Sequence, residues 1–219
     1  MHGLNLLALG LGAAWASGIN LYAAVLVLGG LQAAGIITLP PDLAVLSHPA
    51  VLAAAGFLYV AEFVADKMPG IDSLWDAVHS FIRIPAGALL AAGALDSYGD
   101  GYQVAAALLA GGALAATSHA AKAGGRLVIN TSPEPFSNWF VSVFEDVLVL
   151  GGLILALFKP ALFLTLLGVF VVGVIWMLPK LWRGLRRLFG GRRRQMDRDG
   201  GGLTLDFRSL RGKKPPAPP

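Results

Sequence analysis

The stretch NWFVSVFEDVLVLGGLILALF, residues 138–158, decides how the chain folds. It is apolar over the roughly 20 residues that a helix needs to cross about 30 Å of hydrocarbon. Yet Glu145 and Asp146 stand side by side well inside it. A charge at bilayer depth costs roughly 2.5–3.5 kcal/mol on insertion scales. Two adjacent carboxylates there therefore need partners within the protein, and a bundle of further helices has to supply them.

The rest of the chain repeats that pattern. Of 219 residues, 56% are hydrophobic and 14% charged, with a mean hydropathy of +0.67; a soluble domain is nearer a quarter charged. The fold class expected is all-α: a polytopic integral membrane helix bundle of about six transmembrane helices. The spans are expected near Leu4–Ala34, Val51–Met68, His79–Leu95, Gln103–Gly125, Asn138–Phe158 and Ala161–Leu181. Turn residues separate them: Pro40-Pro41, Pro69-Gly70, Gly99-Asp100-Gly101, Pro133-Glu134-Pro135 and Lys159-Pro160. The first segment is long for one span and carries Ala16-Ser17-Gly18-Ile19-Asn20 at its middle. Gly and Ser there predict a bend, and Asn20 needs a polar partner at depth. A signal peptide ending near Ala16 is the alternative, but the start has no basic residues and the apolar run continues.

Charge asymmetry sets the expected topology. Of the 17 Lys and Arg, 12 lie between Lys180 and Lys214. With both termini cytoplasmic, the inside segments hold Lys67, Lys122, Arg126 and this basic tail. The outside loops hold Asp42, Asp96, Asp100 and Lys159. Residues 1–182 form the expected transmembrane domain and 183–219 a basic cytoplasmic tail, amphipathic at first and then disordered. Leu181, Trp182, Leu185 and Leu188 alternate with Arg183, Arg186 and Arg187, a pattern suited to anionic lipid headgroups. Partners expected are the bilayer and those headgroups, not nucleic acid. Gly-rich helices also admit a homodimer.

The charges within the apolar segments are the candidate site. Glu62 and Asp66 share a helix face, as do His79 and Arg83, and His119, Lys122 and Arg126 form a basic stripe. Asp72 and Asp76 frame the inside turn before the third segment. Asn20, Glu62, Asp66, Asp76, His79, Arg83, His119, Lys122, Glu145 and Asp146 are the candidates for substrate, ion or proton contact, around a charged cavity facing the cytoplasm. A weak internal repeat sets Trp75–Gly87 against Trp139–Gly151, a parallel duplication of a hairpin. It predicts that Arg83 pairs with Glu145 or Asp146. The chain has no cysteine, no phosphate-cradling loop, no GxSxG elbow and no HExxH motif. No cofactor, metal or enzymatic activity is expected. The expected role is a small transporter or channel-like protein for an ion or small polar solute. The alternatives are a non-catalytic membrane scaffold or assembly factor, a lipid-headgroup enzyme, or a lipid transporter.

Two resemblances bear on this reading. Ser17-Gly18-Ile19-Asn20-Leu21-Tyr22, Ala61–Lys67, Pro69–His79 and Phe81–Gly87 resemble a bacterial membrane-protein family known only as domain of unknown function 4126, over roughly residues 5–180. That resemblance implies a location in the bacterial plasma membrane and brings no activity with it. Phe81-Ile82-Arg83-Ile84-Pro85 is also similar to the Arg/Pro signature of DedA-type lipid transporters, with a different spacing and without the second arginine.

Overall fold

A computed structural model describes residues 3–68, 71–95, 100–129 and 135–199. Every element among them is helical. Helix α1 runs over Gly3–Ala33, followed by a 3-10 helix over Pro41–Ser47 and α2 over Pro49–Ala65. Then come α3 (Ile71–Gly93), α4 (Gly101–Ile129), α5 (Pro135–Phe158) and α6 (Pro160–Asp199).

Among the described residues, four helical stretches are long and apolar enough to cross a membrane: Gly3–Ala33, Gly101–Arg126, Trp139–Phe158 and Pro160–Met177. A fifth span results if the 3-10 helix and α2, which meet at 63°, cross together. The protein is thus an all-helical, multi-pass membrane bundle. The expected span His79–Leu95 falls on α3, which is not in that set. Its Asp76, His79 and Arg83 are all turned inward and buried.

Helix α1 is the axis. It packs against α2, α3, α4 and α5, while α5 reaches the rest of the bundle chiefly through it. Small residues allow the closest approaches. Gly18 lies against Ala115 and Ser118 of α4, Gly87 against Ala14 and Ala115, and Gly111 against Ala91 and the Gly87 carbonyl. Trp15 of α1 meets Phe163 and Phe170 of α6 edge-on, each at 6.1 Å between ring centroids.

The chain divides into two compact units, residues 1–175 and 176–219. The described part of the second unit continues α6 as helix to Asp199, past Gly190-Gly191, where disorder is expected from composition. In it the Lys180 ammonium lies 2.9 Å from the centroid of the Trp176 ring. The side chains of the expected amphipathic stripe, Arg183 excepted, and all residues from 200 onward lie outside the described ones. So do Pro69-Gly70 and the turns at 96–99 and 130–134.

Candidate functional site

The site begins with a break in α1. Asn20 leaves the helix (φ −147°, ψ 96°), dividing α1 in two at the place where Gly and Ser predict a bend. The Asn20 amide oxygen accepts from the Ala23 backbone N–H at 2.9 Å, capping the second half as N-cap residues do. The break also frees carbonyls of the first half, and Ile19 O accepts from the Lys122 ammonium at 3.0 Å. Broken backbone at membrane depth is tolerated only where protein or a cavity satisfies it. Here protein does.

Lys122 is the hub of an ionic cluster built from four helices. Its Nζ lies 3.0 Å from Glu62, 3.4 Å from Asp66, 3.4 Å from Glu145 and 3.7 Å from Asp76. Arg83 donates to Glu62 at 2.6 Å and to Asp76 at 3.0 Å. Arg126 donates to Asp66 at 2.8 Å, to Glu145 at 2.7 Å and to the Asp66 carbonyl at 3.0 Å. Topology explains the meeting. The C-terminal ends of α2 and α4 and the N-terminal halves of α3 and α5 meet beside the break in α1, where their charged side chains converge. No side chain of this cluster exceeds 11% exposure. The charges meet one another directly.

Three cations face four carboxylates, so the cluster carries one excess negative charge when all are ionised. One oxygen each of Glu62, Asp66 and Asp76 has no hydrogen-bond partner among the described residues. The pairing expected from the repeat, Arg83 with Glu145 or Asp146, does not form. The partners of Arg83 are Glu62 and Asp76, and Glu145 goes to Arg126 and Lys122.

The two candidate histidines, His79 and His119, are buried on α3 and α4. His119 approaches Ser80 Oγ at 2.6 Å and Arg83 Nη1 at 3.5 Å. His79 stacks on Trp75 with 4.2 Å between centroids, meets Tyr22 edge-on, and places Nδ1 2.9 Å from the Trp75 carbonyl. Among the described residues, no group of three His, Asp or Glu stands where it could hold a metal ion.

Asp146 is different from its neighbour. One residue along a helix turns about 100°, and that rotation takes it out of the cluster. Its Oδ2 accepts from Tyr59 OH at 2.7 Å and its Oδ1 from Asn20 Nδ2 at 3.0 Å. Among the described residues it has no ion pair within 4 Å. It lines a cleft of about 420 Å³ between α1, α2 and α5, whose other walls include Leu26, Tyr59, Phe63, Val143 and Leu150. Lys67 stands near the same wall, its ammonium 2.6 Å from the centroid of Phe63 and 4.8 Å from that of Trp139.

The candidates thus fall into two groups. Glu62, Asp66, Asp76, Arg83, Lys122 and Glu145 join the cluster, with His119 at its edge and His79 against Trp75 and Tyr22. Asn20 and Asp146 join each other at the helix break. Sequence reasoning missed Tyr59, although it stands three residues before Glu62, on the same helix face.

A broken central helix, a buried knot of ion pairs and one carboxylate outside it define a class: a multi-pass helical membrane protein organised around buried charge. The chain belongs to the family described as domain of unknown function (DUF4126), whose model matches residues 7–180. No curated protein and no solved structure matches it.

Proposed function

We propose that this protein is a small transporter or channel-like protein in which Asp146 is the exchangeable group and the ionic cluster is the frame that holds the broken helix. The observation that carries this is the contrast between two adjacent carboxylates. Glu145 is neutralised by Arg126 and Lys122, whereas Asp146 is held by two neutral donors and borders a cleft. Discontinuous helices with polar groups at the break are how many membrane transporters build ion sites near mid-membrane. An intramembrane carboxylate with no ion pair within 4 Å can take up a proton or a cation and release it again.

The test is flux in reconstituted vesicles. A pH-sensitive dye trapped inside reports proton entry under an imposed potassium diffusion potential. Wild-type vesicles should acidify faster than protein-free ones, and Asp146→Asn should remove at least about nine-tenths of the excess rate at equal incorporation. Wild-type flux equal to that of empty vesicles, or an unaltered Asp146→Asn rate, overturns the proposal.

The cluster itself favours a second reading, a scaffold whose ion pairs fix helix packing, because Arg83, Lys122 and Arg126 are nearly inaccessible. Under it, Asp146→Asn leaves every membrane phenotype intact while cluster variants fail to assemble.

A further inference from the structure

Among the described residues, cavities flank the bundle at three places of note. One of about 350 Å³ against Trp15, Phe163 and Phe170 is walled almost wholly by apolar side chains and has no charged group in its lining. One of about 300 Å³ borders Lys122, Arg126 and Glu145, whose charges already satisfy one another. The third is the 420 Å³ cleft at Asp146.

From that cleft we infer that the protein binds a monovalent hydrophobic cation, such as a tertiary or quaternary ammonium with an apolar body, its charge against Asp146 and its body between α2 and α5. This rests on the proposed role of Asp146 as the exchangeable group and names the class of ligand that would share it. Three features of the wall converge on such a ligand. The first is charge. An ionised carboxylate offers about four lone-pair sites; Tyr59 and Asn20 engage one on each oxygen of Asp146, which lines the cleft, and Lys67 is the cation whose charge interacts with it from beyond ion-pair distance. The second is aromatic surface. Tyr59 and Phe63 stack at 6.3 Å and 25° on this wall, and ring faces attract cations. Lys67 shows this already, with its ammonium on the Phe63 face. The third is the remaining lining, Leu26, Val27, Val143, Val147 and Leu150, which would desolvate a strongly hydrated ion without compensation and accept an apolar body.

Lys67 gives the inference a second handle. Its positive charge stands at the wall the ligand would use, so it opposes the ligand while Asp146 attracts it.

The experiment measures equilibrium binding of labelled tetraphenylphosphonium to the full chain in lipid nanodiscs, with tetraphenylborate as the anion of the same shape. The cation should bind saturably and the anion should not. Asp146→Asn should weaken cation binding at least about tenfold, as loss of a desolvated charge partner does, and Lys67→Met should strengthen it severalfold. Leu150→Trp, which fills the cleft and keeps the carboxylate, should also weaken binding and stands in if Asp146→Asn does not fold. Equal binding of both ions, binding unchanged by Asp146→Asn or by Leu150→Trp, or weaker binding in Lys67→Met overturns the inference. So does binding that never saturates, which would mean lipid chains occupy the cleft. No gradient is applied, so a protein that binds the cation without moving protons is distinguished from one that does neither.

Discussion

Lys122→Met removes the hub of the cluster and should be among the most damaging single changes available in this protein. Four carboxylates lie within 3.7 Å of the Lys122 ammonium, and the Ile19 carbonyl at the helix break is 3.0 Å away. Without it, Arg83 and Arg126 face Glu62, Asp66, Asp76 and Glu145 alone, so the excess negative charge rises from one to two. Removing one partner of a buried ion pair typically costs about 3–5 kcal/mol, because the charge left behind has no solvent. Folded proteins are stable by only about 5–15 kcal/mol in all. At about 1.4 kcal/mol per tenfold, the unfolding equilibrium should shift by roughly 10²–10⁴-fold. The assay is reversible unfolding in mixed micelles, followed by circular dichroism as SDS is titrated. Lys122→Met/Glu62→Gln restores the original charge balance and should recover at least half of the deficit. A Lys122→Met protein within about 1 kcal/mol of wild type would place the cluster in the range of solvated surface pairs. That result, or no recovery in the double variant, refutes the view that these charges are closed off and mutually neutralised.

Further outcomes follow from the same geometry. Gly18→Ala should destabilise by about 1–3 kcal/mol or more, since a methyl group there meets the Ala115 carbonyl and Ser118. Gly112→Ala, whose new methyl makes only ordinary contact with Ala88 at 3.5 Å, should be neutral or gain up to about 1 kcal/mol in the same titration. Arg83→Lys keeps the charge but cannot reach Glu62 and Asp76 with one planar fork. It should cost about 1.5–3 kcal/mol, the worth of a charged hydrogen bond, measured in the same micelles. Asn20→Ala loses the cap on Ala23 and the bond to Asp146. It should destabilise by about 0.5–2 kcal/mol and raise amide exchange over residues 20–24.

The membrane class, the helical architecture and the inward turn of the charges were all legible in the chain itself. Each follows from one local fact: hydrocarbon forbids unpaired backbone groups and penalises bare charge, whatever the neighbours are. The break at Asn20 belongs with these, because Gly18 and an amide at mid-span already announce it. Who pairs with whom did not belong there. Arg83 meets Glu62 and Asp76, 21 and 7 residues away, instead of the carboxylates that a repeat would assign to it. Tyr59 and Asn20 converge on Asp146 from 87 and 126 residues away. Identical side-chain chemistry at positions 66, 76 and 146 leads to two ion-paired carboxylates and one that borders a cleft. Only the packing of helices around α1 decides which is which, because a rotation of one residue along α5 separates a neutralised acid from an available one.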